Sequence, residues 1–313
     1  MSLEIITLED QHAETTARVL SGFGMNCYSF EVPTTNGRFD VLWSVDGFCS
    51  GSQRASSSGI PLLFPFVGRL QGTQFQHEGQ TYAFTEGDGI GNAIHGLVID
   101  RPWKVIQREP QRLVGCIESA TNRGKLKDCW PADYRVCAAY ELTAMRLSLT
   151  ITIENVDQRP LPFGFGTHPY FRVPREGDWR VTVPAKGYWP LDAMLPTGNQ
   201  LHVDSRRDLR CGRPFDEIHL DDVLGDLIFE DEICDTQLTN QENGERIVQS
   251  FDEGFRECVV YTPPHREAIC IEPYTCVPNA AELARNGVNA GWQVLAPGQR
   301  WQSRIEIRYE AAQ

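Results

Sequence analysis

The sequence predicts an all-β protein, a sandwich or a barrel assembled from many short strands. Three observations carry that expectation. Residues Arg146 to Asn155 alternate strictly, with leucines and isoleucines on one face and Ser, Thr and Glu on the other. Apolar runs recur in pairs around short turns that contain Gly, Pro or Asn. Helix signals are confined to two short stretches.

In chain order, Phe30-Glu31-Val32 and Phe39-Asp40-Val41-Leu42-Trp43 flank a turn containing Asn36-Gly37, a strong hairpin signal. A second hairpin places Phe75-Gln76-His77 and Thr81-Tyr82-Ala83-Phe84 about Glu78-Gly79-Gln80. The run at Arg146–Asn155 has the period of two of a strand with one buried face, and its β-branched residues argue against a helix. Further on, Cys258 to Tyr261 and Ala268 to Ile271 flank Pro263-Pro264, and the last strand is expected over Arg304 to Tyr309. The clearest helix runs from Asn279 to Gly287. There Asn279 is expected to cap the free amides, with Glu282 as its capping-box partner and Gly287 as the stop. Glu14 to Leu20 is a second helix candidate. No internal repeat or low-complexity linker divides the chain, and the Gly/Ser-rich stretch Ser50–Gly59 is short, so residues 1–313 read as one domain.

Composition narrows the function. Of 313 residues, 41% are hydrophobic, ample for a large core. With 29 basic and 42 acidic residues the formal charge is −13, which repels phosphate backbones and anionic lipid headgroups and argues against nucleic-acid and membrane partners. No apolar run is long enough to span a bilayer. Met1-Ser2-Leu3-Glu4 has neither the basic nor the apolar region of a secretory signal, and Met1 to Leu3 reads equally as a cloning remnant; a cytoplasmic location is expected. Ten cysteines are spaced irregularly, without a C-x-x-C pair. Several, such as Cys137, Cys258 and Cys270, lie in apolar or alternating runs, and the set reads as reduced core residues rather than a disulfide framework.

Three segments break the strand pattern with polar residues. The first is Pro61 to Leu70, ending Gly68-Arg69-Leu70, with Asn92-Ala93-Ile94-His95-Gly96 beyond a hairpin; the second is Gly164 to Phe171; the third is Ile269 to Thr275. Glu272 ends an apolar strand before a proline, where partial desolvation raises a carboxyl pKa and suits it to general-base work. A surface glutamate paired with an arginine is the plainer alternative. His168, between glycines and Pro169-Tyr170-Phe171, carries an imidazole that can protonate an ether oxygen near neutrality; a hydrogen-bonded core histidine is its alternative. His95 precedes a glycine that permits close approach, and Arg69 can point donors at hydroxyls. A metal is not expected: His95, His168 and Glu272 would form a two-histidine, one-carboxylate set, but no short ligand pair anchors it. No cofactor is expected either, since Gly87-Asp88-Gly89-Ile90-Gly91 lacks the following helix and lysine of a phosphate cradle, and no G-x-S-x-G elbow is present.

Taken in order, Gly68-Arg69, His95-Gly96, Thr167-His168-Pro169-Tyr170-Phe171 and Glu272-Pro273-Tyr274-Thr275 resemble the motifs of the aldose 1-epimerase (galactose mutarotase) family. Asp221-Asp222-Val223-Leu224 and Leu295-Ala296-Pro297-Gly298 fit the same pattern, and the match runs from about Gly59 to the C-terminus. The resemblance implies a large twisted β-sandwich, the galactose mutarotase-like supersandwich, with a few short helices and a sugar cleft. It also implies Glu272 as base, His168 as acid, and Arg69, His95 and Asp221, or else Asp222, as holders of the sugar hydroxyls. Phe64, Phe66, Tyr170 and Trp292 are candidates to pack on the sugar's apolar face or to belong to the core. The implied reaction interconverts α and β hexose anomers by acid–base ring opening, on a small-molecule sugar, in a monomer or homodimer. Two departures touch the sugar side: a single glycine after His95, and Phe64-Pro65-Phe66-Val67-Gly68 in place of an asparagine-rich segment.

Other readings remain open at this level. A hexose-6-phosphate mutarotase would need a cationic pocket, for which Arg54, Arg69, Arg172 and Arg175 are candidates. A non-catalytic sugar-binding or regulatory protein of the same fold could dispense with the acid or the base. A lyase or glycosidase would call for two opposed carboxylates, and only one stands out.

Overall fold

In the computed structural model, which describes residues 3–35, 37–121, 126 and 128–311, two large antiparallel sheets carry the architecture. Asn36 of the first hairpin turn and Met1 and Ser2 of the N-terminus lie outside the described residues. The nine-stranded outer sheet runs, in spatial order, Lys104–Glu109, Arg112–Glu118, Tyr134–Thr143, Arg146–Asn155, Arg300–Glu310, Arg246–Asp252, Ile233–Asn240, Trp179–Thr182 and Arg213–Pro214. The eight-stranded cleft sheet orders Leu201–His202, Ala185–Trp189, Asp221–Leu227, Glu257–Tyr261, Ala268–Tyr274, Gly166–Thr167 and Leu62–Leu63, with Tyr170–Arg172 also paired to Ala268–Tyr274. A four-stranded sheet (Ile5–Asp10, Thr15–Leu20, Asn26–Thr34, Gly37–Asp40) joins them at the N-terminal end. Neither large sheet closes on itself, so the expected all-β fold is a sandwich and not a barrel.

The alternation read from the sequence is the alternation that packs the core. Leu147, Leu149, Ile151 and Ile153 are all buried, facing Tyr134, Val136, Ala138 and Tyr140 of the neighbouring strand's inner set and Ile305, Ile307 and Tyr309 of the last strand. Each fully buried aliphatic chain stabilises the fold by roughly 1.5–3 kcal/mol. All three hairpins singled out in the sequence form, pairing Asn26–Thr34 with Gly37–Asp40, Gln74–His77 with Gln80–Ala83, and Glu257–Tyr261 with Ala268–Tyr274.

Three expectations are corrected. Residues Thr15–Leu20 are a strand, not a helix: Thr15, Ala17 and Val19 are buried and the run pairs with Ile5–Asp10 on one side and Asn26–Thr34 on the other. The helix is Ala280–Arg285, but Asn279 does not cap it through its side chain. Asn279 instead adopts a left-handed conformation, φ 58°, and its Oδ1 accepts from the Gln71 amide at 3.2 Å. Cys137 is not a free core thiol, because it stands directly opposite Cys116 on adjacent outer-sheet strands and forms a disulfide with it. Cys27, Cys234, Cys258, Cys270 and Cys276 are buried outside that disulfide.

Candidate active site

Along Ala268–Tyr274 every residue is buried, yet the two faces differ. Ile269 and Ile271 enter the core between the sheets, while Ala268, Cys270, Glu272 and Tyr274 face the other way. That face forms one wall of a cavity of about 200 Å³, lined by Glu272, His168, His95, Arg69 and Asp221 among others. The five residues singled out in the sequence, spread over some two hundred positions, are thus brought to one place.

Glu272 is 1% exposed. Its Oε2 accepts a 2.5 Å hydrogen bond from the Tyr274 hydroxyl, and its Oε1 lies 3.3 Å from His168 Nε2. Burial pushes its pKa well above the usual carboxylate value; the Tyr274 hydrogen bond and Arg69 oppose that shift, and Asp221 adds to it. His168 follows the short strand Gly166–Thr167, and its amide donates to the Pro61 carbonyl at 3.0 Å. Its ring stacks on Tyr170 at 5.0 Å, and the Tyr170 hydroxyl is held by the Ser56 carbonyl at 2.8 Å. Burial pushes the imidazole down to about 3, with Arg54 adding in the same direction. Desolvation therefore drives the imidazole and the carboxyl alike toward their neutral forms.

The His95 ring meets that of His168 edge-on at 5.4 Å. Burial, His168, Arg54 and Arg69 together hold His95 well below its ordinary pKa, and its Nδ1 has no hydrogen-bond partner. Gly96 beside it has a structural reason: at φ 79°, a Cβ there would lie 2.1 Å from the Phe64 carbonyl oxygen.

Arg69 is held by a residue the sequence reading passed over. Asp88, in the glycine-rich loop, accepts from Arg69 Nε at 3.1 Å and from Asn92 and Ile90 amides at 2.9 Å. Burial alone would raise the Asp88 carboxyl, but these donors outweigh it and hold it well below the usual range. The Arg69 carbonyl in turn accepts from the Asn279 amide at 2.9 Å, so the displaced helix cap helps to fix the arginine. The glycine-rich loop is a clamp for a guanidinium. Replacing Asp88 with Ala is expected to weaken binding of a ligand that engages Arg69 about tenfold, about 1.4 kcal/mol by affinity arithmetic, because a loosened guanidinium loses its fixed direction; isothermal titration calorimetry of wild type and variant checks this.

The period of two also separates the adjacent aspartates. Asp221 shares a strand face with Val223, and both line the cavity; Asp222 shares the opposite face with Leu224. Asp222 is buried, with Arg206 and Arg207 both on its carboxylate, the latter through Nε at 2.7 Å. Asp221 reaches solvent, yet the protein around it still raises its pKa, with Arg69 acting against that shift.

Not every candidate converges. Phe64 and Phe66 are core residues and Trp292 packs against the core; of the four aromatic candidates only Tyr170 lines the cavity. Of the arginines considered for phosphate, Arg54 and Arg69 line it. Arg172 donates to the Asp40 and Leu42 carbonyls, and Arg175 pairs with Glu267. Among the described residues, the group with metal-compatible spacing is His168, Cys270 and Glu272, one donor atom each within 4.8 Å of the others, so Cys270 rather than His95 stands with the other two.

Comparison with known proteins bears on the whole chain. A family model described as Aldose 1-epimerase matches residues 4–308. YphB, an Escherichia coli K12 protein described as uncharacterized, is 31% identical over 134 residues, a match spanning 42% of this chain and 42% of that protein. Solved structures that share the fold include the following two. One is a galactose mutarotase-like protein from Clostridium acetobutylicum, 19% identical, TM-score 0.83, with 99% of each chain covered. The other is a GalM/aldose epimerase homologue from C. elegans, 17% identical, TM-score 0.82, with 100% of each chain covered.

Proposed function

The chain belongs to the aldose 1-epimerase family, and from that premise we propose that it is an isomerase interconverting the α and β anomers of a free hexose. Glu272 takes the proton from the C1 hydroxyl while His168 donates one to the ring oxygen. The bond between C1 and the ring oxygen breaks, leaving an open-chain aldehyde. Rotation about C1–C2 presents the other carbonyl face, and on closure Glu272 gives its proton to the carbonyl oxygen while His168 recovers one from the C5 hydroxyl. Arg69, His95 and Asp221 hold the remaining hydroxyls.

One observation supports this reading above the others: His168 Nε2 and Glu272 Oε1 lie side by side, 3.3 Å apart, on one cavity wall. The two oxygens that exchange protons in anomer interconversion are bonded to the same carbon, so acid and base must be neighbours. Glycoside hydrolysis asks instead for two carboxyl groups about 5 Å or more apart, flanking the scissile bond. Tyr274 engages Oε2 and leaves Oε1 for the substrate.

The pair works with one mobile proton, and its pH dependence follows. At low pH a second proton abolishes the base; because burial pushes His168 down to about 3, the acid limb of kcat/KM falls well below histidine's usual 6.5. At high pH the single proton is lost, and because Glu272 is raised well above 4.5, that limb is displaced upward. The expected profile has its acid limb well below 6.5 and its basic limb well above 4.5. A loss of polarimetric kcat/KM on acidification through 6.5 would show that the pair is not the reacting acid and base.

The direct test is optical-rotation kinetics on freshly dissolved α-D-glucose and α-D-galactose and their 6-phosphates. Acceleration of anomer equilibration for a free hexose supports the reading. Acceleration confined to the phosphates would shift the substrate, and sugar binding without any acceleration would make this a binding protein.

A further inference from the structure

Cys270 is a buried thiol that the proposed reaction does not use, and the sheet register sets it beside the acid–base pair. Gly166 stands opposite Tyr274 and Tyr170 opposite Cys270, so His168 falls opposite Glu272. Cys270 lies two residues before Glu272, on the same face of its strand. One donor atom from each of His168, Cys270 and Glu272 lies within 4.8 Å of the other two, and all three residues are buried. Imidazole, thiolate and carboxylate are the ligand types that zinc takes in proteins.

The spacing fits a small tetrahedral ion. Bonds of about 2.0–2.1 Å to nitrogen and oxygen put those two atoms about 3.3 Å apart in a tetrahedron. His168 Nε2 and Glu272 Oε1 are 3.3 Å apart. A zinc–sulfur bond of about 2.3 Å asks for sulfur about 3.6 Å from each of them, so the thiol draws in by no more than about 1.2 Å from its 4.8 Å bound. Charge agrees with spacing. Once the thiol proton has passed to solvent, thiolate and carboxylate cancel the two charges of the ion, the condition under which buried charges persist. Of the arginines lining the cavity, Arg69 is paired with Asp88 at 3.1 Å and Arg54 donates to the Gly87 carbonyl. Tyr274 engages Oε2 and leaves Oε1 for the ion. His168 and Glu272 both line the cavity, so an ion entering it meets them first and keeps its fourth position for water.

We propose that His168, Cys270 and Glu272 form an inhibitory site for a thiophilic divalent cation, Zn²⁺ in particular, which excludes the sugar by occupying the acid and the base. The inhibition rests on the proposed acid–base reading; the metal site rests on the geometry alone. With the ion bound, the Nε2 lone pair and Oε1 are both spent on the metal, and neither can exchange a proton with a hexose. No covalent bond of the chain changes, so a chelator reverses the state.

The test titrates Zn²⁺ into the metal-free protein by calorimetry and substitutes Co²⁺ for absorption spectra. Expected is a zinc site that Cys270→Ala weakens at least about tenfold, together with a thiolate-to-cobalt charge-transfer band that the variant lacks. Cys270→Ser, closer to native size, repeats both measurements in case alanine loosens the wall. In polarimetry, zinc should slow anomerisation by the wild type, competitively with the sugar and reversibly with EDTA. Without zinc the variants should keep their turnover, and with it they should be about tenfold less sensitive. Zinc held equally by wild type and both variants, or cobalt bound without the thiolate band, would overturn the site. Zinc bound through Cys270 with turnover undiminished would overturn the inhibition. If no sugar is anomerised at all, calorimetry and the cobalt spectrum still decide the site, and the fault lies with the epimerase reading.

Discussion

Replacing Glu272 with glutamine is expected to lower kcat for anomer interconversion roughly 10²- to 10⁴-fold, the usual contribution of a positioned general base. The protein should remain folded. Glutamine has the same shape, its carbonyl oxygen can still accept from the Tyr274 hydroxyl, and burying a neutral amide costs less than burying a carboxylate. Because the side chain sits in the wall and not in the sheet-to-sheet core, the loss should fall on kcat more than on KM. Initial rates by polarimetry, alongside a thermal melt of wild type and variant, decide it. A variant that melts normally and turns over within threefold of wild type would remove Glu272 from the chemistry.

His168→Phe is expected to cost a similar factor, about 10²- to 10⁴-fold in kcat. Phenylalanine preserves the flat ring on Tyr170, so packing at the 5.0 Å stack is kept while the proton donor is lost. A structural histidine would respond differently: its removal would lower stability or raise KM and leave the pH profile of residual activity alone. If His168 is the acid, the acid limb assigned to its titration should disappear from the profile of the variant. Residual turnover that keeps the wild-type profile would place the acid elsewhere in the cleft.

How far the sequence was legible depended on whether a feature is local. The strand over Arg146–Asn155 coincides with the alternation that announced it, since a period of two and β-branched residues act at short range. Thr15–Leu20 was misread for want of its partners: Thr-Thr-Ala-Arg-Val-Leu contains the two-residue period, but the strands on either side decide it. Asn279 has the right side chain for a cap, and tertiary contact with Gln71 took that side chain away. The disulfide depends on Cys116 and Cys137 sharing one register position, which spacing along the chain does not reveal. Glu272 and His168 stood out because each is chemically odd in its local setting. Asp88 did not, since an aspartate among glycines looks like any turn, and only the fold brings Arg69 to it.

The strand Ala268–Tyr274 carries cavity-side and core-packing side chains at alternating positions, and this limits how the segment can vary by descent. Deleting or inserting one residue inside it would rotate an isoleucine into the cleft and drive the carboxylate into oil, so a lineage can substitute along this segment but cannot change its length. Part of the cavity rim is Asp88 of the 86–92 loop, which lies outside the sheets, so added residues there disturb no such parity. New sugar preferences in related proteins are therefore expected to arise by growth of that rim, with the length of the carboxylate-bearing strand held constant.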